Sequence, residues 1–251
     1  MSAHAIRVID FHGHVGRWDE YAMRDEPARM LAAMDAVGID QTAVFDIFHA
    51  DGRTGNDTTA AFVARHPQRF IGFAYVSPTQ PAAAIRAELA RCIDGLGFRA
   101  IKLYPPYAPW PLHDERWFPI YEFAAERELA LLFHTGTEPH ALPRHLSAIA
   151  PRFASARFVA GHSGNVAVTR RQALDAARAY PNIYLETCSS FRTPGVIEQL
   201  VAEAGADRVL FGSDTPLMDP RCQIGKIITA AIDDTAKRMI LGENAQRLLR
   251  L

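Results

Sequence analysis

Eight β-rich runs alternate with helix-patterned stretches along the chain, and this alternation limits the fold more than any other feature. The runs are IRVIDFHGH, TAVFDIF, RFIGFAYV, GFRAIKLY, LALLFHTG, RFVAGHSG, NIYLETCS and RVLFGSDT. They recur every ~26 to 35 residues, room for one helix between sequential parallel strands joined by right-handed crossovers. The intervening stretches carry the matching signals. Met30, Leu31, Met34 and Val37 fall on one helical face, and Gly38 sits where a left-handed cap belongs. In TPGVIEQLVAEAG, Thr193 is placed to cap a helix, Pro194 lies in its first turn and Gly205 follows its end. Eight such units close a single (β/α)8 TIM barrel with short loops and a C-terminal helix, read as one domain over residues 1–251. The rival is an open doubly wound sheet, which calls for a glycine-rich phosphate turn after the first strand; DFHGHVG lacks that G-x-G-x-x-G pattern. The longest loops are expected after strands one, four and eight.

Charge and composition narrow the partners. The 27 basic and 28 acidic residues leave a formal charge of -1, so no excess of either sign recruits nucleic acid or an anionic membrane. A small-molecule partner is the expectation, with a homodimer through the outer helices compatible with the fold. Cys92, Cys188 and Cys222 form no C-x-x-C pair and read as reduced thiols. The first strand pattern begins at Ile6, leaving no room for an export signal, and no uncharged apolar run is long enough to span a bilayer. The expected location is the cytoplasm.

In a barrel of this kind the chemistry sits at the C-terminal ends of the strands. Reading those ends gives His12 and His14 at the first, Lys102 at the fourth, His134 at the fifth, His162 at the sixth, Glu186 at the seventh and Asp214 at the eighth. A lone interior histidine is more often a packed, hydrogen-bonded residue than a ligand. The ordered set reverses that weighting. Residues i and i+2 of a strand share a face, so His12 and His14 can point together into the barrel, and Asp214 ends the strand that closes beside them. Imidazole and carboxylate donors in this number suit zinc first, with manganese or iron as alternatives.

With those residues in hand, the chain resembles the amidohydrolase superfamily, in its amidohydrolase-related branch of small barrel hydrolases and decarboxylases. The matching segments are DFHGH, AIKLYPP, FHTG, AGHSG, FGSDTP and MILGENAQRLL, which between them span nearly the whole chain. The resemblance implies that His12, His14, His134 and Asp214 bind the principal metal, that Asp214 also carries protons, and that His162 polarises the substrate or holds a second metal. Lys102 has two readings: carboxylated and bridging two ions, or unmodified and pairing with a substrate carboxylate. The balance leans to one ion. Lys102 could also pair simply with Glu186, and Glu186 could orient a histidine from behind. Tyr104, Trp110, Asn165 and Arg192 follow strand ends and are candidates to line the substrate pocket. Asp10 is expected on the face of the histidine pair as a supporting acceptor; His49, His113, His140 and His145 are expected as solvated loop residues, with His4 and His66 peripheral. The expected activity is metal-dependent hydrolysis of a small amide, lactone or ester. The alternative on the same site is non-oxidative decarboxylation, or hydration, of a small carboxylic acid.

Overall fold

The apolar runs become the eight parallel strands of a barrel in the computed structural model, which describes residues 7–189 and 193–251. They are β1 (Ile9–His14), β2 (Gln41–Phe45), β3 (Phe70–Tyr75), β4 (Ala100–Leu103), β5 (Ala130–His134), β6 (Arg157–Gly161), β7 (Ile183–Glu186) and β8 (Val209–Leu210), hydrogen-bonded in chain order. The first strand meets the segment after the last. Phe11 N–H donates to the Phe211 carbonyl at 2.9 Å, His14 N–H to Thr215 at 2.7 Å, and Asp214 N–H to His12 at 2.8 Å. Those bonds remove the free edges an open sheet would have, so the barrel reading holds and the doubly wound one does not.

Two apolar layers hold this arrangement. Inside the barrel lie Ile9, Phe11, Ala43, Phe45, Phe73, Leu132 and Val159. Between strands and helices lies a larger layer that includes Met30, Met34, Phe62, Trp117 and Leu174. Each large side chain taken fully out of water contributes roughly 1.5–3 kcal/mol. The helix Pro27–Asp35 buries Met30 and Met34 and gives way to Gly38 at φ 71, as its pattern implied. The later helix differs at its start. It spans Val196–Ala204 with Gly195, φ 82, at the N-cap, because that left-handed glycine interrupts the turn that Thr193 and Pro194 would have opened.

The insertions after β1, β4 and β8 all lie at the strand-end mouth, and the first contains a small hairpin pairing Arg17–Trp18 with Met23–Arg24. One loop histidine departs from the solvated expectation. His145 is only 9% exposed; its Nε2 lies 2.9 Å from the Pro139 carbonyl and its Nδ1 3.1 Å from His113 Nδ1, tying the β4 and β5 loops together. Among the described residues, no helix is long and apolar enough to cross a membrane.

Candidate active site

The histidine pair owes its direction to a fault in β1. The register against β2 slips between Asp10 and Gly13, leaving one extra residue in β1. Ile9 and Phe11 thereby enter the barrel interior, and His12 and His14 rejoin that interior beyond the slip, each with its ring against Phe45. Strict alternation put Asp10 on the face of the pair; the slip reverses its parity. Asp10 turns instead to the eighth strand segment, accepting from Ser213 N at 2.8 Å and Ser213 Oγ at 2.5 Å. Burial pushes its carboxyl up to about 7, against the Ser213 bonds that lower it. Gly13 is required here, since a Cβ would stand 2.8 Å from Thr42 Cγ2.

Barrel closure brings Asp214 to the pair. Its Oδ1 lies 3.0 Å from His14 Nε2 and 3.5 Å from His12 Nε2, and the three ligand atoms fall within 4.8 Å of one another, all buried. Those separations match the edges of a coordination shell with bonds of about 2.0–2.2 Å, so the donors fit a divalent ion. Asp214 has φ 65, a left-handed conformation that the closing hydrogen bonds impose on it. Burial raises its carboxyl, but the His14 bond and the neighbouring histidines outweigh that and hold it well below the usual range. Asp214 is a carboxylate.

Hydrogen bonding then assigns the imidazole lone pairs. Glu186 Oε2 lies 3.0 Å from His12 Nδ1 and also accepts from His162 N at 3.1 Å, while its other oxygen accepts from Cys188 N. Burial raises Glu186, but two backbone donors and the Cys188 thiol oppose protonation. The His12 proton therefore sits on Nδ1, and its one lone pair sits on Nε2 facing Asp214. This is the orienting role read for Glu186. At His162, Nδ1 is 2.9 Å from the Cys188 carbonyl, which can only accept, and Nε2 is 3.0 Å from His134 Nδ1. Burial and then the His134 charge push His162 down to about 4, so its Nε2 lone pair is spent on the His134 N–H. His162 is thus turned toward His134, and its donors also lie within 4.8 Å of those of His12, Glu186 and Cys188, a second buried group with the make-up of a metal site. His134 Nε2 lies 3.8 Å from Glu138 Oε1, and this histidine holds the Glu138 carboxyl down at about 2. Its ligand atoms do not join the group formed by His12, His14 and Asp214, so three of the four expected donors are assembled and His134 stands beside them.

Lys102 is fully buried beside the histidine pair. Its Nζ lies 2.9 Å from His12 Nε2 and 4.6 Å from the centre of the Phe45 ring, and it forms no ion pair with Glu186. Burial brings its ammonium down to about 8, against the attraction of Asp214, Cys188 and Glu186.

An aromatic wall surrounds the opening. Trp18 lies 4.4 Å from Tyr21, 5.1 Å from Phe48 and 6.3 Å from Tyr104, and Tyr104 lies 4.5 Å from Tyr107 and 4.8 Å from His134, ring centre to ring centre. Tyr104 is thus at the site as expected. Trp110 is not: it packs against the outer apolar layer with the Arg116 guanidinium 4.5 Å from its ring. Asn165 is an exposed turn residue at φ 65, and Arg192 lies outside the described residues. Sequence reading missed Trp18, Tyr21, Phe48, Tyr107 and Glu138. The rule that found Tyr104, an aromatic shortly after a strand end, would have found Trp18 and Phe48 as well.

Two supporting positions yield measurable consequences. A Cβ on Gly212 would stand 2.0 Å from Glu186 Oε1 and 3.0 Å from His12 Cβ. Gly212→Ala therefore displaces the carboxylate that orients His12, and divalent-metal affinity should fall by ~10–100-fold, as calorimetric titration can measure. Asp46 follows β2, fully buried at the side chain; its Oδ1 accepts from Phe48 N at 2.8 Å, while Oδ2 has no hydrogen-bond partner and lies 3.6 Å from His49 Nε2. Burial raises its carboxyl above the ordinary 3.8. A carboxyl raised in the folded state contributes stability that is complete below the unfolded value and is lost as pH rises through the folded value. Asp46→Asn escapes that loss. Its melting temperature should exceed the wild type's by ~2–4 °C at pH 8, the equivalent of about 1 kcal/mol, with the advantage shrinking toward pH 4.

Comparison with known proteins gives a consistent result. A family model described as Amidohydrolase matches residues 9–251. The gamma-resorcylate decarboxylase of Polaromonas sp. is 27% identical over 272 residues, covering 88% of this chain and 83% of that protein. Among solved structures, the 5-carboxyvanillate decarboxylase of Sphingomonas paucimobilis superposes with a TM-score of 0.78 at 19% identity, covering 98% of this chain and 100% of the other. The dihydroxybenzoic acid decarboxylase of Polaromonas sp., with bound manganese and the inhibitor 2-nitroresorcinol, superposes with a TM-score of 0.77 at 19% identity, covering 98% and 97%.

Proposed function

We propose, from the premise that this chain belongs to the amidohydrolase family over residues 9–251, that it is a divalent-metal-dependent decarboxylase of a small hydroxylated aromatic acid. The observation that carries this reading is the likeness to gamma-resorcylate decarboxylase across 88% of the chain. The same finding overturns the expectation of a hydrolase acting on an amide, lactone or ester. The donors alone misled, because histidines and a carboxylate around one ion serve water activation and acid binding equally well. Manganese replaces zinc as the ion of choice, supported by the manganese in a solved neighbour and by a donor set that accepts either.

When bound, the ion would draw charge from the substrate's carboxylate and ring oxygen as a Lewis acid. The remaining work falls to side chains. Asp214, a buried carboxylate held below its usual range, takes the proton of a ring hydroxyl and returns it to the ring carbon that bears the carboxylate. The carbon–carbon bond then breaks, its electron pair restores the ring, and carbon dioxide leaves. The phenolate that remains takes a proton from water, which balances the reaction. Glu186 keeps the His12 lone pair aimed inward, and His162 fixes the ring of His134. Trp18, Phe48 and Tyr104 offer faces for a planar ring and keep water from the departing carboxylate. Such a wall favours an aromatic acid over a flexible aliphatic one.

The test is incubation of the manganese-loaded protein with hydroxybenzoic acids labelled at the carboxyl carbon, trapping labelled carbon dioxide and measuring the phenol. An acid with a hydroxyl beside its carboxyl is expected to give both in equal amounts. If every acid of the panel keeps its label, the reading is wrong.

A further inference from the structure

Among the described residues Lys102 is the one lysine or arginine that is fully buried, and its partner is a nitrogen that the mechanism needs elsewhere. His12 carries its proton on Nδ1 toward Glu186, so the ring has a single lone pair, at Nε2. Lys102 Nζ stands 2.9 Å from that nitrogen and donates into the lone pair. An ion held by His12, His14 and Asp214 must use the same lone pair, and Asp214 Oδ1 is only 3.5 Å from it. One lone pair cannot serve both claimants. Two cations competing for one buried nitrogen also repel strongly.

We infer that Lys102 gates metal entry: unmodified, it occupies the His12 Nε2 lone pair until a divalent ion displaces it, and it leaves the centre room for one ion only. The lysine thereby keeps His12 aimed and its buried polar atom satisfied before the metal arrives, at the expense of metal affinity. Two features support the displacement. The ammonium rests over the Phe45 ring at 4.6 Å and forms no ion pair among the described residues, so no carboxylate anchors it. Its four-carbon stem lets the head swing while the strand stays fixed. A carboxylated Lys102 would do the opposite, adding an anionic ligand and a second ion. The inference rests on the metal centre of the proposed function and is independent of which acid is decarboxylated.

The experiment is a titration of the full chain, freed of metal by chelation, with Mn2+ alone, following free Mn2+ by electron paramagnetic resonance. The wild type should bind one equivalent. Lys102→Met, which keeps an unbranched chain one atom shorter and loses the charge and donor, should also bind one, at least ~10-fold more tightly. Lys102→Arg, which keeps the charge, should bind no more tightly than the wild type. Equal or weaker binding by Lys102→Met, with the wild type still binding, overturns the gate and leaves the metal centre standing. Binding by neither protein overturns both. Circular dichroism checks that the variants fold. If they do not, the wild type decides: titrated with 13C-bicarbonate present, it should still bind one equivalent and give no carbamate resonance. A carbamate signal with a second equivalent of Mn2+ would refute the inference.

Discussion

Chelation should reduce carbon dioxide release to background, at least ~10³-fold, and added Mn2+ should restore it, since Lewis-acid stabilisation of several kcal/mol has no substitute among the side chains. The fold should survive the treatment. His12, His14 and Asp214 are held in place by main-chain bonds across the barrel seam, Phe11 to Phe211, His14 to Thr215 and Asp214 to His12, and by packing on Phe45. Lys102 satisfies His12 Nε2 in the meantime. The far-ultraviolet dichroism of the chelated protein should therefore match that of the loaded one while activity and bound metal fall together. Loss of structure on chelation would mean instead that the ion holds the barrel closed.

Asp214→Asn carries the second large effect. Asparagine adopts the left-handed conformation readily, so φ 65 should not unfold the variant, and its carbonyl oxygen keeps a lone pair for the ion. What it lacks is the negative charge toward the ion and the capacity to take and return a proton. Turnover measured at saturating Mn2+ should drop by ~10³–10⁴-fold, the upper part of the range for a positioned acid–base group. The melting temperature should change little by comparison. A variant that keeps a tenth or more of wild-type turnover under those conditions would remove Asp214 from the proton's path.

The parts of this architecture legible in the sequence are those fixed by local pattern. Apolar runs such as LALLF and RFVAG announce strands because each is buried on both sides, and the polar residues that end them, His134 and Asp214 among them, mark the mouth. The illegible parts depend on contacts between distant segments. Nothing in IDFHGH announces the slip against Gln41–Phe45 that re-aims His12 and sends Asp10 to Ser213. Strand ends also say where a backbone stops without saying which way a ring turns. His134 meets His162 because the Cys188 carbonyl, just beyond β7, fixes the His162 proton. Trp110 and Trp18 look alike as tryptophans in loops, but the β4 loop folds Trp110 back onto the outer layer, and the hairpin after β1 carries Trp18 over the opening. Decarboxylation against hydrolysis was the deepest of these gaps, since both use the same donors and differ in what enters the pocket.

The most direct test is crystallographic. Crystals grown with Mn2+ and measured near the manganese absorption edge should give a single anomalous peak, about 2.0–2.4 Å from His12 Nε2, His14 Nε2 and Asp214 Oδ1, with Lys102 Nζ withdrawn from His12. A peak lodged instead among His162, Glu186 and Cys188, or no peak within reach of the histidine pair, would contradict the account.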